Sequence, residues 1–178
     1  MTEITSENIT VIGPNAFAYC QQLTTVDMPN ATIISDNAFN ICNALISISV
    51  PNVENVAQLA FNGCTKLHEI SLPKASDIGQ MAFNGCTLLS KIDLGAADTI
   101  GALAFQNCKA LSAVIIRYDN ICTLMNVSAF NNTPVKTSNT DGFIYVPSSL
   151  VDSYKAASNW SDYADKIRAI EDYPDICG

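Results

Sequence analysis

Seven cysteines, one histidine and scattered carboxylates are the side chains in this sequence with the most obvious chemistry. Cysteine and histidine in CxxC-type spacing would hold zinc, and paired cysteines would build a disulfide framework. The spacing favours neither. Cys20, Cys42, Cys64, Cys86 and Cys108 recur every 22 residues, so they repeat along the chain instead of clustering. In a stack of identical coils such residues sit about 4.8 Å apart, the distance between adjacent parallel strands. Their Cβ atoms all point one way and do not converge to the roughly 3.8 Å a disulfide requires. Free, buried thiols packed as small hydrophobes are therefore expected. Cys122 and Cys177 lie off this column, and the sequence neither requires nor forbids a bridge between them.

A catalytic reading fares no better. His68 adjoins Glu69, but neighbouring strand residues face opposite ways, and a catalytic histidine needs both a nucleophile and an orienting carboxylate. Asp27, Glu69 and Asp93 belong to separate repeats. Asp27 and Asp93 are three repeats apart, roughly 14 Å at strand spacing, too wide for a pair of glycosidase carboxylates. The sequence contains no phosphate-binding loop, dinucleotide fingerprint, HExxH or Gly-x-Ser-x-Gly. No enzymatic activity, metal site or cofactor is expected.

The elements that position these residues follow from the same period. Phe17, Phe39, Phe61, Phe83 and Phe105 keep the 22-residue step, each preceded by alanine, and Leu23, Leu45, Leu67, Leu89 and Leu111 keep it too. Fixed self-similarity of this kind marks a repeat architecture. Five residues before each phenylalanine stands Ile12, Ile34, Val56, Ile78 or Ile100, followed by the small Gly13, Ser35, Ala57, Gly79 or Gly101. A small residue there permits a tight change of direction against the neighbouring coil. The i, i+3, i+6 spacing of Phe17, Cys20 and Leu23 predicts a short helical or 3₁₀ turn. After the leucine the period becomes two: Val26-x-Met28, Ile48-x-Val50, Ile70-x-Leu72, Ile92-x-Leu94 and Val114-x-Ile116 read as short strands. Pro29, Pro51 and Pro73 close three of them. Each coil can bury its apolar edge only against its neighbours, so the stack supplies the core.

Composition agrees. Apolar residues make up 48% and charged residues 15%, enough for a core and too little charge for disorder. The formal charge of −8, without a basic run, excludes nucleic acid as a partner. No apolar run approaches the roughly 20 residues of a membrane helix. Residues 1–8 are polar and acidic, without the basic start and apolar middle of a secretory signal. This leaves two readings, an intracellular chain or a mature or trimmed segment. Residues 1–8 are read as a tail or partial cap, 9–147 as the solenoid, and 148–178 as a C-terminal cap.

The sixth coil departs from the pattern. It carries extra residues before Ala129-Phe130 and after it, and Thr133 and Lys136 replace the cysteine and leucine. The additions lie in turn-prone text, Asn131-Asn132-Thr133-Pro134 and Ser138-Asn139-Thr140-Asp141-Gly142, before Ile144-Tyr145-Val146-Pro147 restores the strand. Beyond it, Ser149 and Asp152 resemble a capping box opening a helix near Leu150 to Ala157. Trp160, Tyr163, Ile167 and Ile170 mark one face of a second helix, with Ser161 as N-cap.

The outward strand positions form two columns: Thr25, Ser47, Glu69, Lys91, Ala113, Phe143, and Asp27, Ser49, Ser71, Asp93, Ile115, Tyr145. Early coils present small and acidic groups; later ones turn apolar and aromatic, with Arg117 and Tyr118 alongside. The candidate binding residues are Glu69, Ser71, Lys91, Asp93, Ala113, Ile115, Arg117, Phe143 and Tyr145. Two outcomes are open. Ala113, Ile115, Phe143 and Tyr145 form an exposed anchor patch, or the C-terminal helices or the insertion at 131–142 fold across it and bury it.

The pattern Ile-Gly-x-x-Ala-Phe-x-x-Cys-x-x-Leu-x-x-Ile-x-Leu, nearly complete over Ile78 to Leu94, resembles the BspA-like leucine-rich repeats across about residues 9–147. The C-terminal segment, with Val151-Asp152-x-Tyr154 and Trp160-Ser161-x-Tyr163, resembles the ends of such proteins as well. The fold this implies is an α/β solenoid. It is a right-handed leucine-rich-repeat coil of about six 22-residue repeats, with a parallel β-sheet on its concave face and a helical cap. The resemblance implies a bacterial surface or secreted module, adhesin-like and non-enzymatic, binding a protein or glycan. The alternatives are a structural spacer in a larger surface protein and a targeting domain of a phage or secreted enzyme.

Overall fold

The structure, a computed structural model, describes residues 2–137 and 140–178. In chain order the strands are β1 (Glu3–Thr5), β2 (Val11–Ile12), β3 (Thr25–Asp27), β4 (Ile33–Ile34), β5 (Ser47–Ser49), β6 (Asn55–Val56) and β7 (Glu69–Leu72). There follow β8 (Asp77–Ile78), β9 (Lys91–Leu94), β10 (Thr99–Ile100), β11 (Ala113–Ile116), β12 (Thr123–Leu124), β13 (Phe143–Val146) and β14 (Ile167–Ala169). Every described pairing is parallel and joins a coil to the next, so the fold is a solenoid of stacked coils. The odd-numbered strands fall where the period-two pattern places them. The even-numbered strands β2 to β12 are an addition. The isoleucine column, which stands just before the small residues read as a change of direction, forms a second continuous sheet, in which Ile12, Ile34, Val56 and Ile78 align. Two residues are too few to show a period.

In the first five coils the predicted short helical or 3₁₀ turn between the two rows is absent. A train of β-turns takes its place. In the third coil Ala60 N–H bonds to Ala57 O, Asn62 N–H to Leu59 O, Cys64 N–H to Phe61 O and Leu67 N–H to Cys64 O. The third residue of the first and third turns is left-handed, Leu59 at φ 57° and Gly63 at φ 73°, which is the type II signature. The intervening N–H groups are thereby turned along the stack. Leu59, Phe61 and Gly63 donate to Gln80, Ala82 and Asn84 of the next coil. This inter-coil row holds bulky residues in left-handed backbone, Tyr19, Ile41 and Met81 among them, at a local cost of about 1–2 kcal/mol each.

The turn train aims the phenylalanines inward. Phe17, Phe39, Phe61, Phe83, Phe105 and Phe130 form one stack with ring centroids 5.1–5.3 Å apart and planes within 14°. Beside it the buried thiols of Cys42, Cys64, Cys86 and Cys108 each donate to the carbonyl of a phenylalanine one coil back, as Cys64 does to Phe39 O at 3.2 Å. All seven cysteines are free, Cys122 and Cys177 included. Cys20 departs from the expected buried column: it is exposed. A further column was not read from the sequence. Asn40, Asn62, Asn84, Asn107 and Asn132 pass amide hydrogen bonds from coil to coil at 2.8–3.2 Å.

Both ends carry local structure that the pattern did not show. Residues 3–5 of the polar start form β1, a further rung on β3. In the sixth coil Asn126 caps a 3₁₀ turn over Val127–Phe130 by accepting from Ser128 N–H. Thr133 is buried and donates to Phe130 O, while Val135, not Lys136, enters the core at the leucine level. The turn reading at Ser138 and Asn139 lies outside the described residues. In the cap, helix α1 (Val151–Ala156) forms without the capping box, its N-cap being Leu150 with no side-chain bond. The second predicted helix is a 3₁₀ turn over Ser161–Lys166, also without a bond from Ser161. Ile167 is in strand β14, which pairs with β13 and extends the sheet. A short helix α2 (Pro174–Cys177) follows.

The cap replaces missing coil contacts with side chains. Trp160 and Tyr163 pack on Phe130. Cys122 N–H donates to the Tyr154 hydroxyl, Trp160 Nε1 to Cys122 O, and Asn159 to Leu124 O. The exposed edge of β12 thus finds the partners that buried backbone requires.

Candidate functional site

The outer face of the odd-strand sheet carries the candidate residues in two registered columns. Glu69, Lys91, Ala113 and Phe143 align across β7, β9, β11 and β13; Ser71, Asp93, Ile115 and Tyr145 align beside them. Alternation sends Ile92, Val114 and Ile144 into the core and leaves these side chains outward.

The anchor-patch expectation does not survive. Ala113, Ile115 and Tyr145 are 7%, 0% and 2% exposed. They form an apolar cluster with Cys177, against which Phe143, Ile170, Tyr173 and Ile176 pack. Residues 170–178 lie across the face and bury it. Of the two readings left open by the sequence, coverage by the C-terminal segment is the one observed. Phe143 keeps partial exposure, with the Arg168 guanidinium 4.5 Å and Lys166 Nζ 5.5 Å from its ring centre.

The charged candidates hold this segment in place. Arg117 grips Asp93 through Nε at 3.0 and 3.1 Å and through a terminal nitrogen at 2.8 Å. The same guanidinium donates to Cys177 O, and Lys91 Nζ donates to Ile176 O at 2.7 Å. The bond to Asp93 raises the Arg117 pKa further. Burial pushes the Tyr145 phenol and the Cys177 thiol up, the latter opposed by Arg117 and Lys91. Both carboxylate oxygens of Asp93 are thus taken by Arg117.

Glu69 and Ser71 lie beyond this cover, both exposed. They line a cleft of about 550 Å³ with Ile46, Ser47, Ile48, His68, Lys91 and Asp93. Its origin is a break in the sheet. The strands pair as β1-β3-β5 and as β7-β9-β11-β13-β14, with no pairing of β5 to β7. Flanking coils make Ser90 N–H to His68 O and Met28 N–H to Ser49 O; among the described residues, the β5–β7 junction has neither equivalent. The second sheet remains continuous behind it, so the stack is opened on one side only. His68 lies just before β7 and lines the same cleft as Glu69, not the opposite face as strand alternation predicts.

The cleft offers hydroxyls, carboxylates, an imidazole and flanking isoleucines. This mixture suits hydrogen-bonded recognition. Among the described residues no group of three or more His, Cys, Asp or Glu is placed to hold a metal ion. The sequence columns named Glu69, Ser71, Lys91 and Asp93 correctly as outward; nothing in the sequence marks the missing pairing that makes a cleft of them.

Two solved structures are similar to this chain at low identity. One is a leucine-rich repeat protein from Bacteroides ovatus, 21% identical with a TM-score of 0.44, covering 82% of this chain and 47% of that one. The other is a leucine rich cell surface protein from Faecalibacterium prausnitzii, 19% identical with a TM-score of 0.47, covering 82% and 54%. The chain therefore spans about half the length of either. No curated protein matches the chain. The family model of the BspA type leucine rich repeat region matches residues 1–111 and 32–150, with six copies. The chain belongs to the BspA-type leucine-rich-repeat family.

Proposed function

We propose that this chain is a non-enzymatic interaction module of a bacterial surface or secreted protein, adhesin-like, taking a protein or glycan partner on the outer face of the odd-strand sheet. The observation that supports the reading best is the cleft at the β5–β7 junction, where Glu69 and Ser71 stand exposed beside His68, Lys91 and Asp93. Solenoids present extended surfaces of this kind for binding, and recognition there requires no movement of the core. Family membership and the cell-surface title of the Faecalibacterium protein agree with the proposed location.

The test is a glycan array and a defined panel of extracellular proteins, probed with the purified chain and with Glu69→Ala and Ser71→Ala variants. Both residues are exposed, so melting temperature should hold. Saturable binding that falls at least ten-fold in either variant supports the cleft. Binding indifferent to both variants places the partner elsewhere. No binding to any probe favours the structural spacer.

A further inference from the structure

Residues 170–178 cover the β9–β13 half of the sheet face in the manner of a bound peptide. The segment leaves β14 where Glu171 accepts from Ser148 N–H at 3.0 and 3.3 Å. It then drops Ile170, Tyr173, Ile176 and Cys177 onto Ala113, Ile115 and Tyr145. Two of its carbonyls are taken by side chains of the sheet, Ile176 O by Lys91 and Cys177 O by Arg117. Side chains seated on an apolar floor and main-chain groups hydrogen-bonded to the surface are among the means by which a protein surface reads a polypeptide.

The segment is also separable. The inward residues Val114, Ile144 and Val146 are fully buried in the main core, whereas the outer cluster is distinct from that core. Five residues of the segment, Glu171, Asp172, Pro174, Asp175 and Gly178, are exposed. Helix α2 has four residues, far too few to persist without its docking contacts. Segments with few buried contacts open at a small fraction of the global unfolding energy.

We infer that residues 170–178 form an autoinhibitory strap over a peptide-binding surface. The partner that displaces it is a polypeptide segment presenting two or three aliphatic or aromatic side chains and two main-chain carbonyls to the same floor and the same cations. This inference rests on the sheet face being the binding surface. Its test, however, uses the chain's own sequence as ligand and so stands or falls without any outside partner.

Hydrogen exchange on the intact chain comes first. Amides bonded within the strap, Cys177 N–H to Tyr173 O and Gly178 N–H to Pro174 O, should exchange at least 100-fold faster than those of β11. Exchange of the strap only together with β11 overturns the inference. Next, a full-length chain carrying Tyr173→Ser and Ile176→Ser is titrated under reducing conditions with a fluorescent peptide of residues 170–178. Saturable binding at least ten-fold tighter than to the intact chain is expected, with a further ten-fold loss on adding Lys91→Ala. A folded double variant that fails to bind the peptide overturns the inference. So does a double variant that no longer folds, since the strap would then be part of the core. Should the peptide bind while every probe of the cleft fails, the strap stands and the cleft reading falls.

Discussion

Gly13 and Gly79 occupy the same column of the repeat, yet alanine should act oppositely at the two. A Cβ at Gly79 would lie 2.6 Å from the Ala57 carbonyl carbon and 2.7 Å from Gln58 N. Both are backbone atoms of the coil before, so no side chain can swing aside. The fourth coil would have to retreat by about 0.8 Å to reach ordinary contact, stretching the 2.7 Å bond from Gly79 N–H to Val56 O. Overpacking of this kind costs about 1–3 kcal/mol, and the weakened hydrogen bond adds about 1 kcal/mol. Gly13, on the first coil, has nothing within 4 Å of its would-be Cβ. There alanine removes only unfolded-state freedom and stabilises by about 0.4–1 kcal/mol. Thermal melting followed by circular dichroism separates the two. At about 2–4 °C per kcal/mol for a chain of this size, Gly79→Ala should melt roughly 5–15 °C lower and Gly13→Ala at or slightly above the parent. Ser35 and Ala57 hold the same column in the second and third coils, so the column itself admits a side chain. Equal melting of Gly79→Ala and the parent would refute the close approach of coils three and four.

Phe61→Ala removes a ring stacked at 5.2 and 5.1 Å on both neighbours; it should cost about 3–5 kcal/mol, read as lost denaturant resistance, and a loss below about 1 kcal/mol would dissolve the idea of a continuous spine. A thiol reagent at neutral pH should modify Cys20 promptly, Cys177 on opening of the strap, and the other five buried cysteines only on unfolding; mass spectrometry of the labelled native chain decides. Burial raises the Cys42 thiol from 9.0 to about 11 and the Cys122 thiol to about 12, so the folded state favours their protonated forms. Their contribution is complete below pH 9 and declines as the pH climbs toward 11 and 12. Melting temperature should therefore fall across that window, and a flat profile to pH 11 would count against these thiols being dry.

The strands were legible because Val26-x-Met28 and its copies alternate cleanly, and the phenylalanine stack because one residue type held one column. The turn train was misread for a definite reason. A run of β-turns and a 3₁₀ helix both set apolar residues three apart, so Phe17, Cys20 and Leu23 fit either. Only positive φ separates them, and glycine announces it in two coils, at Gly63 and Gly85; Tyr19, Ile41 and Leu59 take the same backbone under the pull of inter-coil hydrogen bonds. Ile167 looked helical beside Trp160 and Tyr163 because a three-residue strand carries no period of its own. At the site, alternation identified Ala113, Ile115 and Tyr145 as outward, but facing outward does not settle what lies on top. Whether another segment docks there depends on contacts between residues far apart in sequence, such as Tyr145 with Tyr173 and Lys91 with Ile176, which no local pattern records.

The row of N–H groups running from turn to turn gives the stack a sense of direction. Asn15, Phe17 and Tyr19 donate to Asp36, Ala38 and Asn40, and later coils repeat the arrow. Unlike a sheet ladder, where donors and acceptors alternate on each edge, this row never reverses. One rim of any coil is therefore a comb of hydrogens and the other a comb of oxygens. Two like rims brought together would find no partners along it, so coils of this design can join only head to tail.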